Sequence, residues 1–502
     1  MFPRVQVCAF AAIVLTCVFT FADASRASLQ TSSPQAGPPA TSTIEERIQR
    51  IESGLLPAAK IKGEPAPRMR LLDRMRFYKS PAVSVAVINK GQIEWARAYG
   101  TLEAGGKTPA TVTTVFQAAS LSKPLTAMAT LRLVQEHRLD LDADVNSRLK
   151  SWRIPQNEFT TTQKVTLRRL LSHTAGLTVP GFLGYASDAS LPTLLQILDG
   201  TPPANSQPIR VDLTPGTKFR YAGGGYVVLQ QLLVDVTGKS FPDVLEQFVL
   251  KKLGMDHSSF LQVVPEQLAN NMAAGHLPNG EVIKGGYFRY PELAPAGLST
   301  TPTDLARFVI EIQRSLHGQS EKVLSQEITR QMLTPQMENS GLGLFVDGVG
   351  RTPRFSHSGS NVGFKSYLVG YFDSGQGAVV MTNSETGAQL ILEILRSIAA
   401  EYGWPDYQPR ERIIAKIDSA IYDAYVGEYE VAPGLILAVT KEGDRLFSQS
   451  PGQPRSEMLP ESETTFFLRD IDAQFTFVAE GGQIIRVVIR RGAREFQARK
   501  IK

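Results

Sequence analysis

The pattern of the chain changes at Gly403-Trp404-Pro405, and that change does most to limit the folds open to it. Before it, helical and strand-like patterns alternate. Beyond it, from Tyr425 onward, only short β-rich runs occur, at 435–439, 445–447, 464–468, 474–478 and 484–489. They are divided by Lys441-Glu442-Gly443-Asp444, Glu480-Gly481-Gly482 and Arg491-Gly492. Short strands at roughly ten-residue spacing imply a small antiparallel barrel or sandwich. Neither a Ser/His/Asp cluster nor a metal-ligand spacing falls within it, so a structural or substrate-shaping appendage is expected there. At 502 residues the chain exceeds one ordinary domain. A first domain is expected over 46–405, a linker over 406–417 and the β domain over 418–502.

The N-terminus carries Arg4, an apolar run from Val5 to Phe21, and Ala22-Asp23-Ala24. A basic start, an apolar stretch and an Ala-x-Ala site read as a secretory signal over 1–24. Cys17 raises a lipoprotein alternative, but Thr16 before it and apolar residues after it argue against. Both cysteines, Cys8 and Cys17, fall in the signal, so no disulfide is expected after its removal. Residues 25–45, rich in Ser, Thr, Pro and Ala, read as a disordered leader. The net charge is +5 and no dense Lys/Arg block occurs, so nucleic acid is not an expected partner. No later segment is long and apolar enough to span a bilayer, which makes a periplasmic or secreted protein the expectation.

In the first domain, short helices are expected near 44–54 and 68–78. The runs 84–88 and 92–96 flank Asn89-Lys90-Gly91 as a hairpin. Further helices are expected at 166–172, 226–237, 241–253, 303–316 and 385–401, with paired strands at 364–371 and 378–382. Mixed helices and strands followed by strands alone make this an α/β (α+β) chain: an antiparallel sheet flanked by helices, then a small all-β domain.

The chemistry concentrates in Gln117-Ala118-Ala119-Ser120-Leu121-Ser122-Lys123-Pro124, which opens onto strong helix formers up to Val134. Ala127, Leu131 and Val134 recur at helical spacing and predict a buried amphipathic helix. Ser120 at its start would have Lys123 one turn away on the same face. A serine hydroxyl becomes a nucleophile when a neighbour takes its proton, and a lysine in an apolar wall can do so. The pattern alone is weak, because Ser147 and Lys150 match it with nothing around them to support catalysis. His173, closing a helix before Gly176, reads as structural.

Two later stretches give Ser120 company: Phe219-Arg220-Tyr221-Ala222-Gly223-Gly224-Gly225-Tyr226 and Arg354-Phe355-Ser356-His357-Ser358-Gly359-Ser360-Asn361, the second leading toward a strand. With Ser120-x-x-Lys123, these resemble in order and spacing the serine β-lactamase and penicillin-binding-protein superfamily. The class C-like branch, with its DD-carboxypeptidases, D-aminopeptidases and esterases, is most similar. The resemblance spans about 46–405 and implies a β-lactamase/transpeptidase-like fold. It also implies roles: Ser120 as acylated nucleophile, Lys123 as its base, and Tyr221 as proton relay to the leaving group. The Ser120 and Ser360 N–H groups would form the oxyanion hole, and Ser358 and Gly359 would line the substrate. His357, which the resemblance places with the catalytic residues, stands where many members carry lysine. Tyr-Val-Gly-Glu-Tyr after residue 424 resembles a lipocalin-like barrel attached to some of these peptidases.

One departure stands out. The usual Tyr-x-Asn is Tyr221-Ala222-Gly223, so an amide that would contact lysine and substrate is missing, with water or Asn361 as its candidate replacement. The sequence thus implies a metal- and cofactor-free hydrolase acting on a small-molecule or peptide acyl substrate, an ester or a D-amino-acid amide. Nucleophile activation and oxyanion stabilisation are both supplied by protein groups. The alternatives are a β-lactamase or DD-carboxypeptidase, and a degenerate binding fold kept as sensor or scaffold.

Overall fold

The computed structural model describes residues 42–502 except Ala66, Val349 and Ala493. The expected signal and nearly all of the expected leader lie outside the described residues. The first helix, Ile44–Glu52, starts at a Thr43 cap. Glu46 N–H donates to Thr43 Oγ1, and the Glu46 carboxylate accepts from the Thr43 N–H. The ordered domain therefore begins inside the segment assigned to the leader. Strand β1 (Ala59–Ile61) and a helix, Leu71–Phe77, follow.

Strands β2 (Ala82–Asn89) and β3 (Gln92–Gly100) form the expected hairpin. Lys90 and Gly91 both have positive φ, 53° and 72°, the turn that matches the twist of paired strands. The remaining strands of this domain are β4 (Phe116–Ala119), β5 (Leu298–Thr300), β6 (Phe345–Asp347), β7 (Arg354–Asn361), β8 (Phe364–Tyr371) and β9 (Gly377–Thr382). The main sheet is antiparallel, in the order β3-β2-β9-β8-β7-β6, while β4 and β5 pair separately. Every residue of β8 is buried, because helices cover both faces of the sheet. Val83, Val85 and Val87 pack with the Gly387–Tyr402 helix, and Ala82, Ala86 and Ile88 with the opposite core. The segment 354–361, expected only to lead toward a strand, is itself β7.

The Ser122–Gln135 helix differs from expectation: every residue from Ser122 to Leu131 is buried. It is enclosed rather than amphipathic, packed by the Gly223–Thr237 and Leu293–Ala296 helices and by the core beneath.

Beyond residue 426, eight strands between Gly427 and Lys500 close into an antiparallel barrel. Three of them, Gly427–Ala432, Ser456–Pro460 and Arg494–Lys500, have no counterpart in the β-rich runs of the sequence. Aromatic rings fill the interior, with Tyr425 stacked on Phe477 at 4.4 Å and Phe466 edge-on to both. The expected linker is not free. It carries β10 (Arg410–Arg412), which runs parallel to β1. The barrel docks beside it: Ala59 N–H donates to the Arg469 carbonyl, and Arg74 bridges Glu393 of the first domain and Asp470 of the barrel.

Candidate active site

Strand β4 delivers Ser120 through a strained turn. Ala119 has φ +53°, a conformation disfavoured for a residue with a Cβ. Ser120 lies in that turn, two residues before the helix begins at Ser122. The second serine of Ser-Leu-Ser-Lys has a different role. The Ser122 hydroxyl donates to the Ala119 carbonyl at 2.6 Å and accepts from the Leu298 N–H at 3.0 Å. It ties the strained turn to β5 and is spent in doing so.

Lys123 is 2% exposed. Its Nζ lies 3.0 Å from Ser120 Oγ and donates to the Pro295 carbonyl at 3.0 Å. Burial pulls its pKa well below that of an ordinary lysine. A neutral amine beside a hydroxyl is the arrangement a general base requires. The rival pair does not share it: Ser147 is exposed and donates to the Asp144 carbonyl, and Lys150 is exposed.

Tyr221 faces the same pair. Lys123 Nζ lies 4.9 Å from the centroid of its ring. Its hydroxyl is buried beside Ser120, close enough to feel it but without a hydrogen bond of good geometry. Burial pushes the phenol pKa up, and the Ser120 hydroxyl offsets this only in part. Burial thus disfavours the charged form of both groups, the phenolate of Tyr221 and the ammonium of Lys123.

The third wall is β7. Strand β6 pairs only with Arg354 to Ser356, which leaves the β7 edge open from His357 onward. Gly359 crosses β4 so closely that a Cβ there would stand 2.1 Å from the Ala118 carbonyl oxygen and 2.2 Å from Ser366 Oγ. Only glycine allows this approach, which brings the open edge, with Ser358 and Ser360, to the Ser120 turn. His357 is buried, and its Nδ1 lies 2.7 Å from the Ser358 carbonyl. A carbonyl accepts only, so Nδ1 carries the proton and Nε2 a lone pair. Burial, then nearby Lys123, push the imidazole pKa down to about 3 against that hydrogen bond.

Asn361 does not replace the missing amide. Its Nδ2 donates to Gln117 Oε1 at 3.0 Å and to the Ala296 carbonyl at 3.2 Å, so both hydrogens are committed. It instead holds the peptide next to the carbonyl that fixes Lys123. Gly223 begins a helix with unstrained backbone. Its N–H and that of Gly224 donate to the Pro180 and Val179 carbonyls. A Cβ at Gly223 would lie 3.0 Å from Phe182 Cε2 and 3.2 Å from the Pro180 oxygen. Phe182 and its loop thus fill the space into which a side chain at 223 would grow. Phe182 and the Pro295 carbonyl carry no motif, and sequence reasoning missed them along with the part Gln117 plays in accepting from Asn361.

Residues 70–400 match the Beta-lactamase family model, and residues 411–502 match that of a domain of unknown function (DUF3471). Penicillin-binding protein 4* of Bacillus subtilis is 25% identical over 421 residues, covering 78% of this chain and 89% of that protein. Penicillin-binding protein 4 of Amycolatopsis lactamdurans is 28% identical over 353 residues, covering 64% and 85%. Among solved structures, the octameric penicillin-binding protein homologue from Pyrococcus abyssi superposes with a TM-score of 0.59 at 21% identity, over 85% of this chain and 98% of that one. D-amino acid amidase from Ochrobactrum anthropi SV3 superposes with a TM-score of 0.54 at 20% identity, over 71% and 99%. The family match, across residues 70–400, takes in the strained turn, the buried lysine and the open strand edge that converge here, and on it the chain belongs to the β-lactamase family.

Proposed function

We propose that this protein is a serine hydrolase that forms an acyl-enzyme on Ser120 and cleaves esters or D-amino-acid-type amides. One observation carries the reading: the Ser120 hydroxyl lies 3.0 Å from the amine of a buried lysine whose pKa burial lowers. Lys123 takes the Ser120 proton as Oγ bonds to the substrate carbonyl carbon. The resulting oxyanion is met by the Ser120 and Ser360 N–H groups, each such donor being worth about 10²–10³ in rate. The proton then passes through the Tyr221 hydroxyl to the departing alcohol or amine as the carbon–heteroatom bond breaks. Water attacks the ester on Ser120 by the reverse of these transfers and releases the acid.

Two features narrow the substrate. His357 is neutral where many relatives hold a lysine, so it gives a substrate carboxylate no cation to bind. Phe182 packs where the usual amide would stand, which leaves an apolar wall in place of a hydrogen-bonding one. Both favour acyl donors without a free carboxylate and put β-lactam hydrolysis behind esterase or amidase chemistry. The apolar N-terminal run supports export, with the mature chain starting at Ser25, and no helix among the described residues is long and apolar enough to cross a membrane.

The test is labelling of the full chain with a fluorophosphonate and a fluorescent penicillin, followed by mass spectrometry of the modified peptide. A parallel hydrolysis panel covers p-nitrophenyl esters, D-amino-acid amides, muramyl-type peptides and nitrocefin. Adduct on Ser120 with turnover of esters or amides is the expected result. A folded protein with neither adduct nor turnover would make it a binding fold and not an enzyme.

A further inference from the structure

His173 reads in the sequence as a helix-closing residue, and it is not one of the groups that transfer protons above. Its surroundings in the fold give it a more specific role. Its backbone has φ +58°, a costly conformation for a residue bearing a side chain. Its carbonyl accepts from the Arg220 N–H at 2.9 Å. Its ring Nδ1 accepts from the Ala222 N–H at 3.2 Å. The imidazole also lies against the Tyr221 ring, with centroids 4.3 Å apart and planes tilted by 33°. Tyr226 at 5.2 Å and Phe219 at 6.2 Å complete the enclosure.

One residue therefore grips the backbone on both sides of Tyr221 and lies against its ring. We infer that His173 is the positioning residue for Tyr221, holding the phenol over Ser120 and Lys123 so that its hydroxyl can relay the proton to the leaving group. The inference rests on the serine-hydrolase reading above. The grip works only with the neutral Nε2–H tautomer, since Nδ1 must keep a lone pair for the Ala222 N–H. Burial, together with the charge Lys123 gains during turnover, opposes protonation of His173. The strained backbone has the same origin, because relaxing φ would swing either the carbonyl or the ring away from Tyr221.

His173→Asn tests this, because asparagine tolerates positive φ and its Oδ1 stands near the position of Nδ1, while the ring is lost. On the best ester substrate, kcat should fall about ten- to a hundredfold with KM little changed, the cost of letting one catalytic group drift. In a Tyr221→Phe background the same substitution should cost nothing further, because the group it positions no longer relays a proton. An unchanged kcat, or an equal loss in both backgrounds, would overturn the assignment. Should His173→Asn not fold, long-range proton–nitrogen correlation on the wild-type chain decides: the proton must be on Nε2, and a proton on Nδ1 or an imidazolium at neutral pH refutes the grip. Ser120→Ala is assayed alongside. Undiminished turnover there would remove the reaction itself, whereas loss there with an unaffected His173→Asn would remove only the positioning role.

Discussion

Restoring the family amide by Gly223→Asn is the most informative single perturbation, and the structure changes what it should do. From the sequence, the hazard is a positive φ at Gly223. The residue instead starts a helix in ordinary conformation, so backbone strain is absent. The obstacle is space. The new Cβ would meet Phe182 Cε2 at 3.0 Å and the Pro180 oxygen at 3.2 Å, whereas carbon contacts settle near about 3.5–4.0 Å. The ring can turn aside, but the Pro180 carbonyl is held by the Gly223 N–H and cannot retreat freely. Overpacking of this kind costs about 1–3 kcal/mol. A hydrogen bond from the amide to a charged group in the acylation transition state returns about 1.5–3 kcal/mol. The first is lost from fold stability, and the second reaches the rate only if the amide can take its place, which the Phe182 ring and the Pro180 oxygen already fill. Gly223→Asn alone should therefore lower the melting temperature by about 2–4 °C per kcal/mol lost and leave amide and nitrocefin rates almost unchanged. Adding Phe182→Leu makes room, and the double variant should then gain about ten- to a hundredfold on nitrocefin and D-alanyl amides relative to p-nitrophenyl esters. The assay is paired kinetics on the three substrates with a melting curve for each variant. Refutation takes either of two forms: a single variant that gains tenfold without losing stability, or a folded double variant with no selective gain.

Other expectations follow from the same contacts. Ser120→Ala should abolish labelling with the fold intact, and Ser147→Ala should change nothing beyond about 0.5 kcal/mol in stability; mass spectrometry and melting curves separate them. Ser122→Ala leaves the Leu298 N–H without its acceptor and should cost about 1–3 kcal/mol, read as a lower melting temperature. Lys123→Met should eliminate acylation without destabilising the protein at neutral pH. The unfolded chain binds the lysine proton up to pH about 10.4 while the folded site resists it, so wild-type stability relative to the Met variant should rise with pH until that value. The wild-type rate should fall as pH drops through the lowered Lys123 pKa. Removing residues 418–502 uncovers Ala59, Ile61 and Ile414, which pack on Phe467 and Leu459 of the barrel. Solubility and melting temperature should drop while Ser120 still labels, and a soluble, folded truncation that cannot be labelled would make the barrel part of the site.

What could be read from the sequence was local. Ser-x-x-Lys, the tyrosine before a Gly run and the His-Ser-Gly triplet each join chemistry to a short stretch, and the hairpin at Asn89-Lys90-Gly91 is fixed by its own turn residues. What escaped depends on partners far along the chain. Strand β7 reads Arg-Phe-Ser-His-Ser-Gly-Ser-Asn and lacks a hydrophobic alternation, because its residues serve the cleft; β8 makes it a strand. The last barrel strand, Arg494–Lys500, is largely polar in sequence and is ordered by pairing with both the preceding strand and the first, which closes the barrel. Phe182 and Gly223 are complementary only through space, some forty positions apart in a chain whose local patterns reveal neither.

The enclosed site also sets a limit on charge that no motif expresses. Lys123, His173 and His357 gather around the Tyr221 ring, all three bases buried. Two unit charges roughly 6 Å apart at an effective dielectric of about 20 repel by about 3 kcal/mol. Each base also loses hydration on becoming charged, so the cluster can hold one proton at modest cost and a second only at a much greater one. Burial disfavours the charged form of all three, which leaves room for a single proton. Lys123 is nearest Ser120 and has the Pro295 carbonyl ready to accept from its ammonium, so the Ser120 proton goes there. The two histidines are poor alternatives, since burial opposes the charged form of both and His173 needs its Nδ1 lone pair for the Ala222 N–H. Replacing either with a permanent cation, as in His357→Lys, should then lower the Lys123 pKa further. The acid limb of the rate profile should move to lower pH even if substrate binding improves, and a limb that stays in place would show that the two positions do not share one electrostatic space.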